Sequence, residues 1–497
     1  MPPHFLAFLC PFIIILAGTT SAQNASPAQS QEPPDLSANV ALADCLSLVL
    51  EHSPELAVYA WEPRMAEART LQAGLRPNPE LSLDVEDISF GGQGGESRSS
   101  SSVALNPTTA LGFGIARDRN SGNSGGLDSA EITLSLSQLI ELGGKRMKRV
   151  RLAQGGERVV DMDYEVLRAE VLTSTTRAFY DVLLLQHRLE MATSFVKFAE
   201  EAHGITQARV QAGKISPLEE TRSDVELQLL HLETEHTEHE LEAARIRLVA
   251  HWGSITPHFG KALGSLTIPA KPEDMDRFLA KIEASPDVQR WTAERARRES
   301  ALSLERALGR PDITVTAGLR TTGTGGGGGT SGYGLSTIDG AGLSRGHSST
   351  DDRDYSFLVG VSVPLQFFHR NQGRIREAEY AVERLSDEER ALLIRLRADV
   401  SAEWQTLAAT YNEASTLDEQ ILPKAQQAFE ATQEGYRQGK FGLLDVLLSQ
   451  RALFEVKKEL LETYARHYRA KVELERYTGH SAYVDTDVAS PIEEATP

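Results

Sequence analysis

Several shortages frame this sequence before any motif does. Only two of its 497 residues are cysteine. Cys10 lies in an apolar N-terminal stretch that reads as removable, so Cys45 is left alone and the mature chain has no intramolecular disulfide available. Positive charge is short as well: 51 Lys and Arg against 70 Asp and Glu leave a net charge of −19. That balance argues against nucleic acid as a partner, because polyanions are held by clustered basic groups. After the N-terminus no apolar run reaches the ~20 residues that a membrane-spanning helix needs, so further membrane contact falls to strands. Proline is absent from Gly144 to Ala212, and Pro423 alone interrupts Phe368 to Gln438. No nucleophile–base–acid arrangement stands out. Polyglycine Gly325–Gly329 lacks the lysine and the strand-to-helix context of a phosphate loop. No enzyme and no cofactor is read.

What is present begins with an apolar segment, Phe5 to Leu16, followed by Thr20-Ser21-Ala22. Small residues after a short apolar run suit cleavage before Gln23, which makes residues 1–22 a signal peptide and the protein an exported one. A membrane anchor is the competing reading, and the shortness of the run opposes it. Residues 23–39 form a Pro/Ser/Gln-rich flexible leader, and residues 480–497 a disordered tail.

The stretch from Glu131 to Ala153 organises the rest. Ile132, Leu134 and Leu136 alternate with Thr133, Ser135 and Ser137, the period of a strand with one apolar and one polar face. After Gly143-Gly144 the pattern becomes a long charged helix. The same handover recurs where Phe357, Val359, Val361 and Val363 alternate with Leu358, Gly360 and Ser362, then Gln372-Gly373-Arg374 starts a second long helix. Gly213-Lys214 matches Gly439-Lys440, and Gly253 matches Gly479, both 226 residues apart (439 − 213, 479 − 253). Ser53-Pro54 recurs as Ser285-Pro286, and Arg76-Pro77 as Arg310-Pro311. One fold of two similar halves follows, 40–253 and 285–479, joined by an equatorial linker at 254–284.

Each half contributes two strands. In the first, two helices over Ala41–Leu75, the second opening at Ser53-Pro54, precede a strand at Leu81–Val85. A Gly/Ser-rich stretch, Gly91 to Asp128, then carries a short strand near Ala110–Ala116. In the second, a helix from Pro286 to Leu308 precedes a strand starting at Ile313, then a polar loop from Thr321 to Asp354. Solvated hairpins on a soluble protein would read the same way locally, but isolated hairpins are barely stable. A membrane barrel closed by several copies covers the apolar face with lipid and removes the edges. The proline-free helices, ~65 residues at 1.5 Å each, would span roughly 100 Å, a length that suits coiled coils or tubes. Gly155-Gly156 and Pro423 are the expected bends. Gly213 and Gly439 suit left-handed helix ends, and Pro217 the first turn of a return helix, so helical hairpin tips lie far from the strands.

This duplicated strand–helix–hairpin plan resembles the TolC family of outer-membrane efflux proteins over nearly the whole mature chain. Three segments are similar to its cobalt–zinc–cadmium efflux (CzcC-like) branch: Glu55 to Leu81 with Arg76-Pro-Asn-Pro79, Ile140-Glu-Leu-Gly-Gly-Lys-Arg146, and Pro364 with His369-Arg-Asn-Gln-Gly-Arg374. The resemblance implies a mainly helical chain with membrane strands. It implies a homotrimer in which four strands per chain build a twelve-stranded barrel in the outer membrane, continued by a helical tunnel through the periplasm. It implies docking to a periplasmic adaptor and an inner-membrane pump of the resistance–nodulation–division type, with this chain as a passive duct for heavy-metal cations. A multidrug or type I secretion duct of the same build stays open. A soluble adaptor would have one hairpin, and this chain has two.

In TolC the closed aperture depends on an acid at the first tip and a tyrosine and an arginine at the second. By position the acid is Glu219 and the tyrosine Tyr436, whereas the arginine position holds Phe441; Arg437 or Lys440 could substitute. For Glu219 and Asp445, plain stabilisation of a helix N-terminus competes equally with gating. The family also offers the surfaces around Gly213 and Gly439 to adaptors. His236 and His239 share a helix face and could hold a divalent ion, but a solvated polar face is the preferred reading there.

Overall fold

The computed structural model describes residues 39–86, 131–267, 270–323, 335–337, 341–343, 346–347 and 353–479. The expected signal peptide, nearly all of the leader, the short strand near Ala110–Ala116 and the tail lie outside the described residues.

The described chain opens with β1 (Val40–Ala41), α1 (Leu42–His52), α2 (Pro54–Tyr59) and α3 (Trp61–Ala73). Two helices are expected here and three are found. Pro63 lacks an N–H and its ring would crowd the carbonyl four residues back, at Tyr59, so the second helix breaks at Ala60. Then come β2 (Glu80–Glu86), β3 (Glu131–Ile140), α4 (Lys145–Gln211) and α5 (Pro217–Ala250). The linker holds β4 (Ala262–Leu263), α6 (Met275–Lys281) and a 3-10 turn, Ile282–Ala284. The second half supplies α7 (Pro286–Leu308), β5 (Ile313–Gly323), three short strands β6 (Leu335–Thr337), β7 (Ala341–Leu343) and β8 (Gly346–His347), then β9 (Arg353–Ser362). It ends with α8 (Gln372–Thr416), a π turn (Leu417–Ile421), α9 (Leu422–Arg437) and α10 (Leu443–Thr478).

Matching sequence positions adopt matching backbone. Gly213 and Gly439 close the two hairpins at φ +68° and +75°, and Gly253 and Gly479 end the return helices at +79° and +66°. Each strand-to-helix handover also turns on a left-handed residue, Gly144 before α4 and Asn371 before α8. Asn371 tolerates that conformation because its amide donates to the Glu305 carbonyl (2.9 Å) and carboxylate (2.6 Å), as short polar side chains do in the left-handed region.

The main sheet is antiparallel in the order β2-β3-β5-β9. β7 and β8 pair briefly with the outer edge of β9, an addition that the Gly/Ser-rich loop did not announce. Register aligns the apolar residues in rows: Leu83 faces Leu134, Leu134 faces Leu319, and Leu319 faces Phe357. Burial is inverted relative to a soluble sheet. Glu131, Thr133 and Ser135 are buried, while Ile132, Leu134 and Leu136 between them are exposed. The sheet curls its polar face inward and presents its apolar face outward, the signature of a membrane barrel wall. Leu134→Lys is therefore expected to cost about 2–4 kcal/mol of insertion near mid-membrane, while Thr133→Lys, one residue away, inserts. Flotation of membrane fractions checks this; a worse outcome for Thr133→Lys would reverse the faces.

Helices continue the strands in the same order, α3-α4-α7-α8. α4 runs unbroken through Gly155-Gly156 for 67 residues. Gly155 is a packing position: a Cβ would stand 3.0 Å from the Arg297 Cα of α7. In the second long helix the interruption does occur, as the π turn just before Pro423, where the proline ring disturbs the hydrogen-bond ladder of the preceding turn. Among the described residues no helix is long and apolar enough to cross a membrane.

Among the described residues, three apolar cores hold the helices together. One, at the equator, joins α1, α4, α5 and α10 through Val49, Val182, Leu248 and Tyr464. A second fills the hairpin half with Phe195, Leu227, Phe429 and Phe454. The third packs Ile282 against Val400 and Leu474. The linker is tied to the first of these: β4 pairs with β1, and the buried Gln186 amide exchanges hydrogen bonds with both backbone groups of Ala262 (2.9 and 3.1 Å). Cys45 sits in the same core, where burial first and Asp44 second push its thiol up to about 12. It stays protonated and packs as a small hydrophobe.

Buried His467 of α10 accepts or donates at Nδ1 to the Thr410 hydroxyl of α8, 3.1 Å away. Burial lowers its pKa from 6.5 to about 4, Lys471 adding in the same direction. A depressed histidine leaves the folded state unable to take a proton that the unfolded chain accepts. Its contribution is complete above 6.5 and is lost as pH falls from there towards 4. Denaturant midpoints should thus fall between pH 7 and 4.5, and His467→Gln should flatten that slope; an unchanged slope would assign the dependence elsewhere.

Candidate functional site: the hairpin tips and the duct wall

Both tips are built by the same local chemistry. In the first, the N–H groups of Gly213 and Lys214 bond back to the carbonyls of Val210 and Arg209 (both 2.9 Å), and α5 restarts with Pro217 after Ser216, whose hydroxyl accepts from Leu218. In the second, Gly439 and Lys440 bond back to Tyr436 and Gly435, and the Asp445 carboxylate accepts the Gly442 N–H at 2.9 Å. Asp445 thus has a helix-starting bond. Glu219 pairs with Arg222 of its own helix at 3.2 Å.

Glu219 and Tyr436 line one cleft of about 630 Å³ between the tips, with Arg209, Lys214 and Phe441. Tyr436 is buried, and its hydroxyl hydrogen-bonds that of Thr206 at 2.9 Å. Arg209 reaches across from the first hairpin and donates to the carbonyls of Tyr436 (2.9 Å) and Arg437 (3.1 Å). Those carbonyls end α9, where the helix dipole favours a cation. The same guanidinium lies 4.5 Å from the Tyr436 ring centroid, a favourable cation–π geometry. The tie between hairpins therefore runs through Thr206, Arg209 and Tyr436, and the first two were not singled out from the sequence. Phe441, half exposed, lies over Gly435, where a Cβ would stand 2.1 Å from its ring.

At the far end, the inward face of the strands carries Asp84, Glu86, Glu131 and Arg320, with Arg320 ion-paired to Glu131. Ser82 and Ser135 share a hydrogen bond of 2.6 Å on the same face. His236 and His239 are exposed on α5, and His236 lies 3.1 Å from Glu240. Among the described residues no group of three His, Cys, Asp or Glu is placed to hold a metal ion.

Between strands and helices, buried Lys145 donates to the Arg310 carbonyl (2.8 Å) and the Asp312 carboxylate (2.7 Å). Asp312 also accepts the Leu142 N–H at 2.9 Å. A Cβ on Gly143 would stand 2.9 Å from Arg310, and one on Gly309 would stand 2.8 Å from the Arg370 carbonyl. The segments Ile140–Arg146, Arg310–Asp312 and His369–Arg374 thus interlock at one level of the molecule.

The sequence matches the family described as outer membrane efflux protein over residues 45–254 and 281–480. It is 29% identical over 477 residues, 95% of this chain and 97% of the relative, to the cobalt-zinc-cadmium resistance protein CzcC of Cupriavidus metallidurans. Among solved structures, the outer-membrane channel OprN is similar at a TM-score of 0.65 and 17% identity, covering 88% of this chain and 90% of that one. CusC is similar at 0.64 and 13%, covering 88% and 92%. With residues 45–254 and 281–480 matched and the fold shared with channels of the outer membrane, this chain belongs to the outer membrane efflux protein family and is an outer-membrane efflux channel.

Proposed function

We propose that the chain works as a homotrimeric exit duct for divalent heavy-metal cations, coupled through a periplasmic adaptor to an inner-membrane pump of the resistance–nodulation–division type. The observation that carries the trimer is the pair of unfinished edges. β2 has no outer neighbour among the described residues, and β9 has only the short β7 and β8. The flanking helices expose apolar side chains there, Trp61 and Leu71 on α3, and Tyr380 and Ile394 on α8. Four strands and four helices per chain close into a ring when three copies join, which satisfies every edge.

The substrate class rests on the near full-length similarity to CzcC, a cobalt-zinc-cadmium resistance protein. Asp84, Glu86 and Glu131 on the inward face support it, since an acidic wall raises the local concentration of cations. The energy would come from the pump, and the adaptor would bias the tips between closed and open packings by contacts made only in the open one. Glu219, Tyr436 and Asp445, with the surfaces around Gly213 and Gly439, are the gate and docking positions in this reading.

Growth of a deletion strain tests it. Cobalt, zinc, cadmium, copper and silver are titrated beside a panel of amphiphilic drugs, with complementation. Sensitivity to one or a few metals, restored by the gene, is expected. Drug sensitivity with normal metal tolerance would overturn the substrate and move the duct to multidrug export.

A further inference from the structure

Each of the four strand–helix junctions carries an exposed arginine: Arg76 between α3 and β2, Arg146 after β3, Arg310 before β5, and Arg370 after β9. They stand together, because the four junctions touch. Arg146 Nε donates to the Gly74 carbonyl at 2.6 Å, the Arg310 side chain lies against Gly143, and the Arg370 backbone lies against Gly309. Two nearby acids are occupied, Asp312 by Lys145 and Glu141 by Arg149, while Glu80 at the start of β2 is exposed. Among the described residues none of the four arginines has an ion pair. Four arginines beside one unpaired carboxylate leave an excess of positive charge at one level of a chain whose net charge is −19.

That level is the lower rim of the outward apolar face. Leu365 is 73% exposed, Phe367 67% and Phe368 93%, just ahead of His369-Arg370. Exposed aromatics beside exposed guanidinium groups fit a membrane–water boundary, where rings sit among the headgroups and cations meet lipid phosphates. We infer that these four arginines form a collar that binds anionic phospholipid headgroups of the periplasmic leaflet and fixes the depth of the barrel. The charge pattern chooses the occupant: a neutral lipid surface would use the aromatics but gives four unpaired arginines nothing to bind. The inference also accounts for where the CzcC-like segments fall, since these arginines come from them and from the repeated Arg-Pro pairs.

The inference rests on placement of the sheet in the membrane, and the test separates the two. The full-length protein is reconstituted into phosphatidylcholine vesicles with and without about 30% phosphatidylglycerol. Relative association of spin-labelled phosphatidylglycerol and phosphatidylcholine is then read from the motionally restricted spectral component. The wild type is expected to prefer phosphatidylglycerol at least threefold at low salt, and the preference should shrink towards one in 0.5 M NaCl, as surface attraction is screened. Replacing all four arginines by glutamine should bring the ratio to about one, while replacement by lysine should keep most of it. If the fourfold glutamine variant does not assemble, R370Q alone should still lower the ratio. A wild-type ratio of one, a ratio unchanged by salt and by glutamine, or loss of the preference to millimolar inorganic phosphate would overturn the collar. Failure of the protein to float with any vesicle would instead overturn the membrane placement.

Discussion

Lys145→Met is expected to destabilise the assembled protein by about 3–5 kcal/mol, because it strands one partner of a buried ion pair. The lysine is nearly fully buried, with 5% of its side chain exposed, and Asp312 keeps only 22%. Lys145 also holds the Arg310 carbonyl, so its loss leaves two acceptors unsatisfied at the point where the first repeat meets the second. Asp312→Asn in the same chain should recover part of the loss, since an amide carries no stranded charge and can still accept the Leu142 N–H. Thermal unfolding of the single and double variants in detergent, completed as a double-mutant cycle, checks this. A cost below about 1 kcal/mol for Lys145→Met, the level of an exposed pair, would show that solvent reaches the site.

The second large effect is at the other end. Arg209→Ala removes two charge-assisted hydrogen bonds to the end of α9 and one cation–π contact with Tyr436. Together these are worth about 2 kcal/mol or more, so an equilibrium between closed and open tips should shift roughly 30-fold towards open. In planar bilayers the variant should spend far more time in high-conductance states than the wild type. Tyr436→Phe, which loses only the bond to Thr206, should do so to a smaller degree. Arg209→Ala with wild-type conductance would mean that the tie is packing only and that the tips are held by contacts between chains.

Much of this architecture was legible from spacing. Strand alternation placed β2, β3, β5 and β9 to within a few residues, because a wall with lipid on one side and a duct on the other imposes a strict period of two. The tip glycines were legible because positive φ is costly for other residues. The partners across those tips were not. Thr206 and Tyr436 lie 230 residues apart, and a threonine or arginine on a charged helix face carries no local mark of the partner it will meet. Position in the repeat could have helped: Arg209 stands where the second hairpin has Gly435 (435 − 209 is again 226), and such a break in symmetry marks a side chain with a task of its own. Asp312 escaped for a similar reason, since it reads as a loop residue until Lys145 is brought beside it. The packing role of Gly155 was not legible either, because glycine serves close approach as well as flexibility, and only the structure brings Arg297 against it.

Release of zinc from preloaded cells tests the central claim most directly. A deletion strain and the same strain carrying the gene are loaded with zinc, washed into metal-free medium, and followed for cell-associated zinc. The account predicts several-fold slower release without the gene and recovery with it. Equal release from both strains, with the protein present in the outer membrane of the complemented one, would contradict a role as the exit duct for that cation.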